Sequence, residues 1–182
     1  MSETTTVIKP TTTGERAELL TMCAKARQSV RIATRDLSDE EAGRRTTASE
    51  LCLGGLVKHV TAVEQMWANF LVDGRSAIPD FASLTEADWA QHADQFRMLP
   101  GETLAGLLAA YDEAGRRTDE LVTTLPDMDA TMPLPEGPWF TDQQWSVRRV
   151  LLHIMIDTAQ HAGHADIIRE ALDGKKSTDW EN

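Results

Sequence analysis

The chain has 182 residues, 41% apolar and 26% charged, the profile of a globular domain with its own core and not of a disordered, collagen-like or membrane-embedded chain. Twenty-nine acidic against eighteen basic residues give a formal net charge of −11, which repels phosphate backbones. The arginine pairs Arg44-Arg45, Arg116-Arg117 and Arg148-Arg149 are isolated and lack interleaved aromatics, so no nucleic-acid partner is expected.

The opening MSETTTVIKPTTTGE has no basic segment followed by an apolar run, and no stretch reaches membrane-spanning length, so the expectation is a cytoplasmic protein without a membrane partner. Residues 1–14 are expected to be a flexible N-terminus. A first helix follows from Glu15 to about Asp36, with Leu19, Cys23, Ala26, Val30, Ala33 and Leu37 at three- and four-residue steps. A second is predicted from a capping box at Thr47 and Glu50, through Leu56, Val60, Val63, Trp67 and Phe70, to a stop at Asp73-Gly74. Ser76 to Pro100 reads as a long connection in which Ser83-Leu84-Thr85-Glu86 starts a short helix through Trp89.

The third long helix is predicted over Glu102 to Thr124. Pro126 to Pro138, with four prolines, reads as a surface loop. The fourth is expected from Thr141, with Gln144 completing a weaker capping box, to Leu172 before Asp173-Gly174. No period-two alternation persists, so the expected fold is all-α: a four-helix bundle over residues 15–174, with a frayed tail at 175–182 and long connections between helices two and three and between three and four. Cys23 and Cys52 fall on apolar helical faces and not in a paired spacing, so both are expected as reduced core cysteines.

The chemistry concentrates on two of these helices. His59 shares a face with Cys52, Leu56, Val63, Met66 and Phe70. His153, Asp157, His161 and His164 follow one another at steps of four, four and three on the last helix, beside Val150 and Ile168. Burying a carboxylate among imidazoles loses solvation that a divalent metal restores, and the four-residue step lets Asp157 and His161 reach one ion while His59 approaches from a facing helix. Three protein ligands leave open positions for water or substrate. His153 and His164 are possible substitute ligands or supports behind the ligands, and His92 is expected to be exposed. The other reading of the same stripe is a metal-free network in which Asp157 orients His161 or His153.

Two segments carry a family resemblance. Leu51-Cys-Leu-Gly-Gly-Leu-Val-Lys-His59-Val-Thr-Ala-Val-Glu64, and Ser146-Val-Arg-Arg-Val-Leu-Leu-His153 through His161-Ala-Gly-His-Ala-Asp-Ile-Ile-Arg-Glu170, resemble the DinB-like superfamily, most closely its mini-circle protein branch, which is related to mycothiol-dependent enzymes. Pro100-Gly-Glu-Thr-Leu and Gly137-Pro-Trp-Phe extend the likeness over nearly the whole chain. The resemblance implies a bundle with a metal triad at His59, Asp157 and His161. Asp157 stands where many members carry histidine and mycothiol-dependent relatives carry glutamate, a side chain one methylene longer.

It further implies a metal-dependent thiol S-transferase acting on a small electrophile. The divalent metal would be zinc, or else nickel, iron or manganese; the thiol would be of the mycothiol type, and the assembly a homodimer. Trp139 and Phe140 would then lie near the mouth of the site, and Arg148 and His164 near polar substrate groups. A metal-dependent hydrolase, a non-catalytic metal-binding or stress-response module, and a metal-free helical dimer are the alternatives.

Overall fold

The computed structural model describes residues 12–80, 83–136, 140 and 142–178. The expected flexible N-terminus up to residue 11, Trp139, the proposed cap Thr141 and the end of the tail, 179–182, lie outside the described residues. The structure is mostly helical, as the all-α reading requires.

Helix α1 (Glu15–Ala33) buries Leu19, Cys23, Ala26, Val30 and Ala33, the stripe visible in the sequence. It stops three residues before the predicted end, and Asp36 takes a positive φ of 60°. A short helix α2 (Asp39–Gly43) follows, opened by a true capping box between Ser38 and Glu41. Helix α3 (Leu53–Asp73) starts later than expected. The Thr47 hydroxyl accepts from Ser49 N–H at 3.2 Å and Glu50 pairs with Arg45, while the Cys52 sulfur caps the helix by accepting from Gly55 N–H at 3.3 Å. Gly74, at φ 66°, ends it.

Helix α4 (Glu86–Ala93) lies in the long connection, capped by Thr85 with Asp88 as reciprocal partner and not by Ser83. A 3-10 turn, Asp94–Phe96, leads on to α5 (Leu104–Thr124). The proline-rich segment is not simply a loop. Strand β1 (Thr131–Pro133) pairs antiparallel with β2 (Gln144–Ser146), Thr131 opposite Ser146 and Pro133 opposite Gln144. Gln144 is therefore a ladder residue and not a helix-capping partner. Helix α6 (Val147–Asp173) begins where Ser146 accepts from Arg149 N–H at 3.2 Å.

The four long helices pack as a ring in which α1 touches α6 and α5, and α3 touches α5 and α6. Helix directions follow from who meets whom. Leu19 of α1, Phe70 of α3, Val122 of α5 and Val150 of α6 share one core cluster, whereas Ala33, Leu53, Leu56 and Ile168 share another. So α1 and α6 run one way, and α3 and α5 run the other. Two parallel neighbours of 21 residues each need a return path along roughly 30 Å of helix, which is why the segment between α3 and α5 is long.

Arg27 of α1 crosses the ring to Glu64 of α3, a fully buried carboxylate, with Nε···Oε1 at 3.1 Å, and donates from its other end to Asp119 of α5 at 2.8 Å. Arg169 of α6 donates to the carbonyls of Ala33 and Arg35 at 3.0 and 2.8 Å, satisfying acceptors that the end of α1 leaves free. Beyond α6, Ser177 is buried, and both its N–H and its hydroxyl donate to the Asp166 carboxylate at 2.6 and 2.7 Å. The chain is thus held against α6 at Ser177, within the stretch expected to fray.

Candidate metal centre

Helix geometry brings the three proposed ligands together. His59 projects from α3 into the ring, and Asp157 and His161, one turn apart on α6, meet it from the facing helix. One donor atom from each of His59, Asp157 and His161 lies within 4.8 Å of the others, so the three can hold one metal ion. The His59 and His161 rings meet edge to face with centroids 4.6 Å apart, and His161 Nε2 stands 3.9 Å from Asp157 Oδ1.

Each of these groups sits where its charged form is disfavoured. Burial pushes the His59 imidazole down to about 4, with His161 adding to the effect. Burial also lowers His161, against the pull of Asp157, and raises Asp157, against His161 and His153. The imidazoles are therefore neutral near pH 7, the state in which a ring nitrogen offers a lone pair. His59 Nδ1 and Asp157 Oδ2 are both buried without a hydrogen-bond partner among the described residues. Orphaned acceptors of this kind cost free energy in a core, and a cation between them would satisfy both. The donor set fits a divalent ion.

The connection between α3 and α5 supplies the floor. Phe96 stacks on the His59 ring at 4.2 Å and 26°. It can come so close because Gly55 has no side chain: a Cβ there would stand 2.0 Å from the Phe96 carbonyl oxygen. On the other side a cavity of about 350 Å³ opens, lined by His59 and Asp157 together with Trp67, Trp89, Phe140 and Trp145 among others.

A model of the mycothiol-S-transferase family matches residues 18–174, from the first turn of α1 to the end of α6. The chain belongs to the mycothiol-S-transferase family, a DinB-like family. None of the curated proteins compared with it matches significantly. Among solved structures, the crystal structure of a conserved protein from Enterococcus faecalis superposes with a TM-score of 0.64 over 90% of this chain and 100% of that one, at 11% identity, a likeness of fold alone.

Other histidines singled out in this family member fall outside the triad. His164 Nδ1 lies 3.3 Å from His161 Nδ1, a contact that leaves His161 Nε2 turned toward Asp157. His153 lies across the edge of the stacked Trp67–Trp145 pair, 5.0 Å from each ring, and lines the cavity one turn from Asp157. His92 is exposed, as expected, yet lines the same cavity from α4. Arg148 is paired with Glu15 and Asp129. Phe140 does reach the mouth. Sequence reading missed Phe96, Trp89 and Trp145, which have no shared period and meet His59 or its cavity only through the path of the connections.

Proposed function

We propose that the protein is a metal-dependent thiol S-transferase, joining a low-molecular-weight thiol, mycothiol in a host that makes it, to a small electrophile. The observation that carries the reading is the convergence of His59, Asp157 and His161, two of which hold buried acceptor atoms without a partner among the described residues. Membership of the mycothiol-S-transferase family supports the thiol. On this reading the four long helices are a DinB-like four-helix bundle, and the protein is a cytoplasmic homodimer.

A divalent ion, zinc first and nickel, iron or manganese as alternatives, supplies when bound the positive charge that favours a thiolate over a thiol near neutral pH. The chain does the rest. His59, Asp157 and His161 hold the ion, His164 fixes the tautomer and tilt of His161, and Phe96 fixes the plane of His59. The aromatic cavity keeps water from the reacting atoms. In the transfer, the thiol proton leaves to solvent and the sulfur pair forms a C–S bond to the electrophilic carbon. The leaving group on that carbon departs with its bonding pair.

The test is elemental analysis of protein purified without a histidine tag, followed by assay with mycothiol, bacillithiol or glutathione and a reporter electrophile. About one metal per chain and a thiol-dependent rate that His59→Ala and chelation abolish are expected. Rates equal to those controls for every thiol would overturn the transferase and leave a metal-binding module.

A further inference from the structure

We infer that the cavity beside the triad is the electrophile's own subsite, and that it takes an uncharged, electron-poor aromatic or conjugated ring. The inference rests on the transferase reading for the word electrophile, but the subsite itself is argued from its walls. Trp67 and Trp145 stack at 4.9 Å and 18°, and Phe140 stands edge-on to both at 6.2 and 6.1 Å. Val63 and Met66 complete the apolar lining, and Trp89 of α4, 41% exposed, stands at the open rim. A large aromatic left that open beside a buried aromatic cluster is positioned to close over a flat guest.

The polar part of the lining is equally restrictive. It consists of His59, His92, His153 and Asp157, of which His59 and Asp157 belong to the triad. Among the described residues, no serine, threonine, asparagine, glutamine, lysine or arginine lines the cavity. A hydroxyl-rich body, such as the sugar portion of a thiol, would find too few partners there for its hydroxyls, since two of the four polar groups belong to the triad. In the metal-free protein an anion would meet Asp157 and, among the described residues, no unpaired cationic side chain of the lining; Arg149, stacked over Trp145 at 4.8 Å, is already bound to Asp142 at 2.6 Å.

Indole faces carry negative quadrupole density and attract rings whose electrons have been withdrawn, the property that also makes a ring electrophilic. The volume, about 350 Å³, is at the small end for ligand cavities and suits about one or two rings. The thiol therefore brings only its sulfur to the triad, and its polar body stays outside the cup.

The experiment uses full-length, chelated, 15N-labelled protein and 1,3-dinitrobenzene, an electron-poor ring with no leaving group for a thiol, so binding is read without metal, thiol or turnover. Saturable shifts of the indole N–H signals of Trp67, Trp89 and Trp145 are expected. 3-Nitrobenzenesulfonate should bind at least about tenfold more weakly and myo-inositol not at all. Trp89→Ala and Phe140→Ala, both at the rim and with unchanged melting curves, should each weaken dinitrobenzene binding about fivefold or more.

Equal binding of the sulfonate, shifts confined to other tryptophans, or affinity unchanged in both variants would overturn the subsite. The two readings fail separately. Dinitrobenzene binding in a protein that transfers no thiol removes the transferase and keeps the cup, whereas thiol transfer without dinitrobenzene binding removes the cup and keeps the transferase.

Discussion

The contact between His161 Nδ1 and His164 Nδ1 gives two histidines three positions apart different tasks, one toward the triad and one behind it. His164→Ala should weaken metal binding by about 10- to 100-fold without abolishing it. His161→Ala should abolish it while helical content stays intact, because the apolar faces hold the fold. Competition with a chromophoric chelator, alongside circular dichroism, measures both; equal losses of metal in the two variants would make His164 a ligand. Cys23 makes a contrasting case. It is buried, and burial pushes its thiol up to about 11, so at pH 8 only about one molecule in a thousand carries the thiolate. Alkylation by iodoacetamide followed by mass spectrometry should find it unmodified in the native protein and modified in urea. His59, Asp157 and His161 were legible in the sequence because helical period puts them, with His153 and His164, on inward faces and the family resemblance picks the three out. The division of labour between His153 and His164 was not, since it depends on neighbours: tryptophans around one ring, an imidazole beside the other.

Among the elements, the stripes of α1, α3, α5 and α6 were readable, and so was the start of α1 at Glu15; the starts of α3 and α6 were not. Thr47-x-x-Glu50 and Thr141-x-x-Gln144 both have capping-box form, yet the helices open at Cys52 and Ser146. Cysteine is a weak acceptor and an unusual cap, and Gln144 is claimed by a strand that only the partner Thr131–Pro133 makes possible. The 3-10 turn under His59 is the clearest case of an element placed by its neighbour. Gly54 and Gly55 are both close-packed, but a Cβ at Gly54 would meet the flexible Met98 side chain, and one at Gly55 would meet Phe96 backbone. Gly55→Ala should therefore cost about 1–3 kcal/mol in urea unfolding and disturb metal binding, with Gly54→Ala milder on both counts. Equal effects would mean that the turn, and not the α3 backbone, gives way.

For the whole molecule, the ring is tied through its centre by Arg27, Glu64 and Asp119, which join α1, α3 and α5. Glu64→Ala leaves the Arg27 guanidinium without its buried partner and should lower stability by about 3–5 kcal/mol, read from urea melts. Arg27→Met with Glu64→Leu should recover much of that loss, because two apolar groups leave no charge stranded. The pattern of directions, α1 and α6 one way, α3 and α5 the other, was only partly foreseeable: long connections permit it, but no local signal selects it. It has a kinetic consequence at the triad. His59 and Asp157 are about 100 positions apart along the chain, so a ligand gripping both closes a loop spanning over half of the polypeptide, whose entropy must be surrendered before the grip exists. Such a clasp forms late and breaks early. Metal should accordingly slow unfolding far more than it speeds refolding, and a chelator pulse during stopped-flow experiments should steepen decay while leaving the recovery phase nearly unchanged.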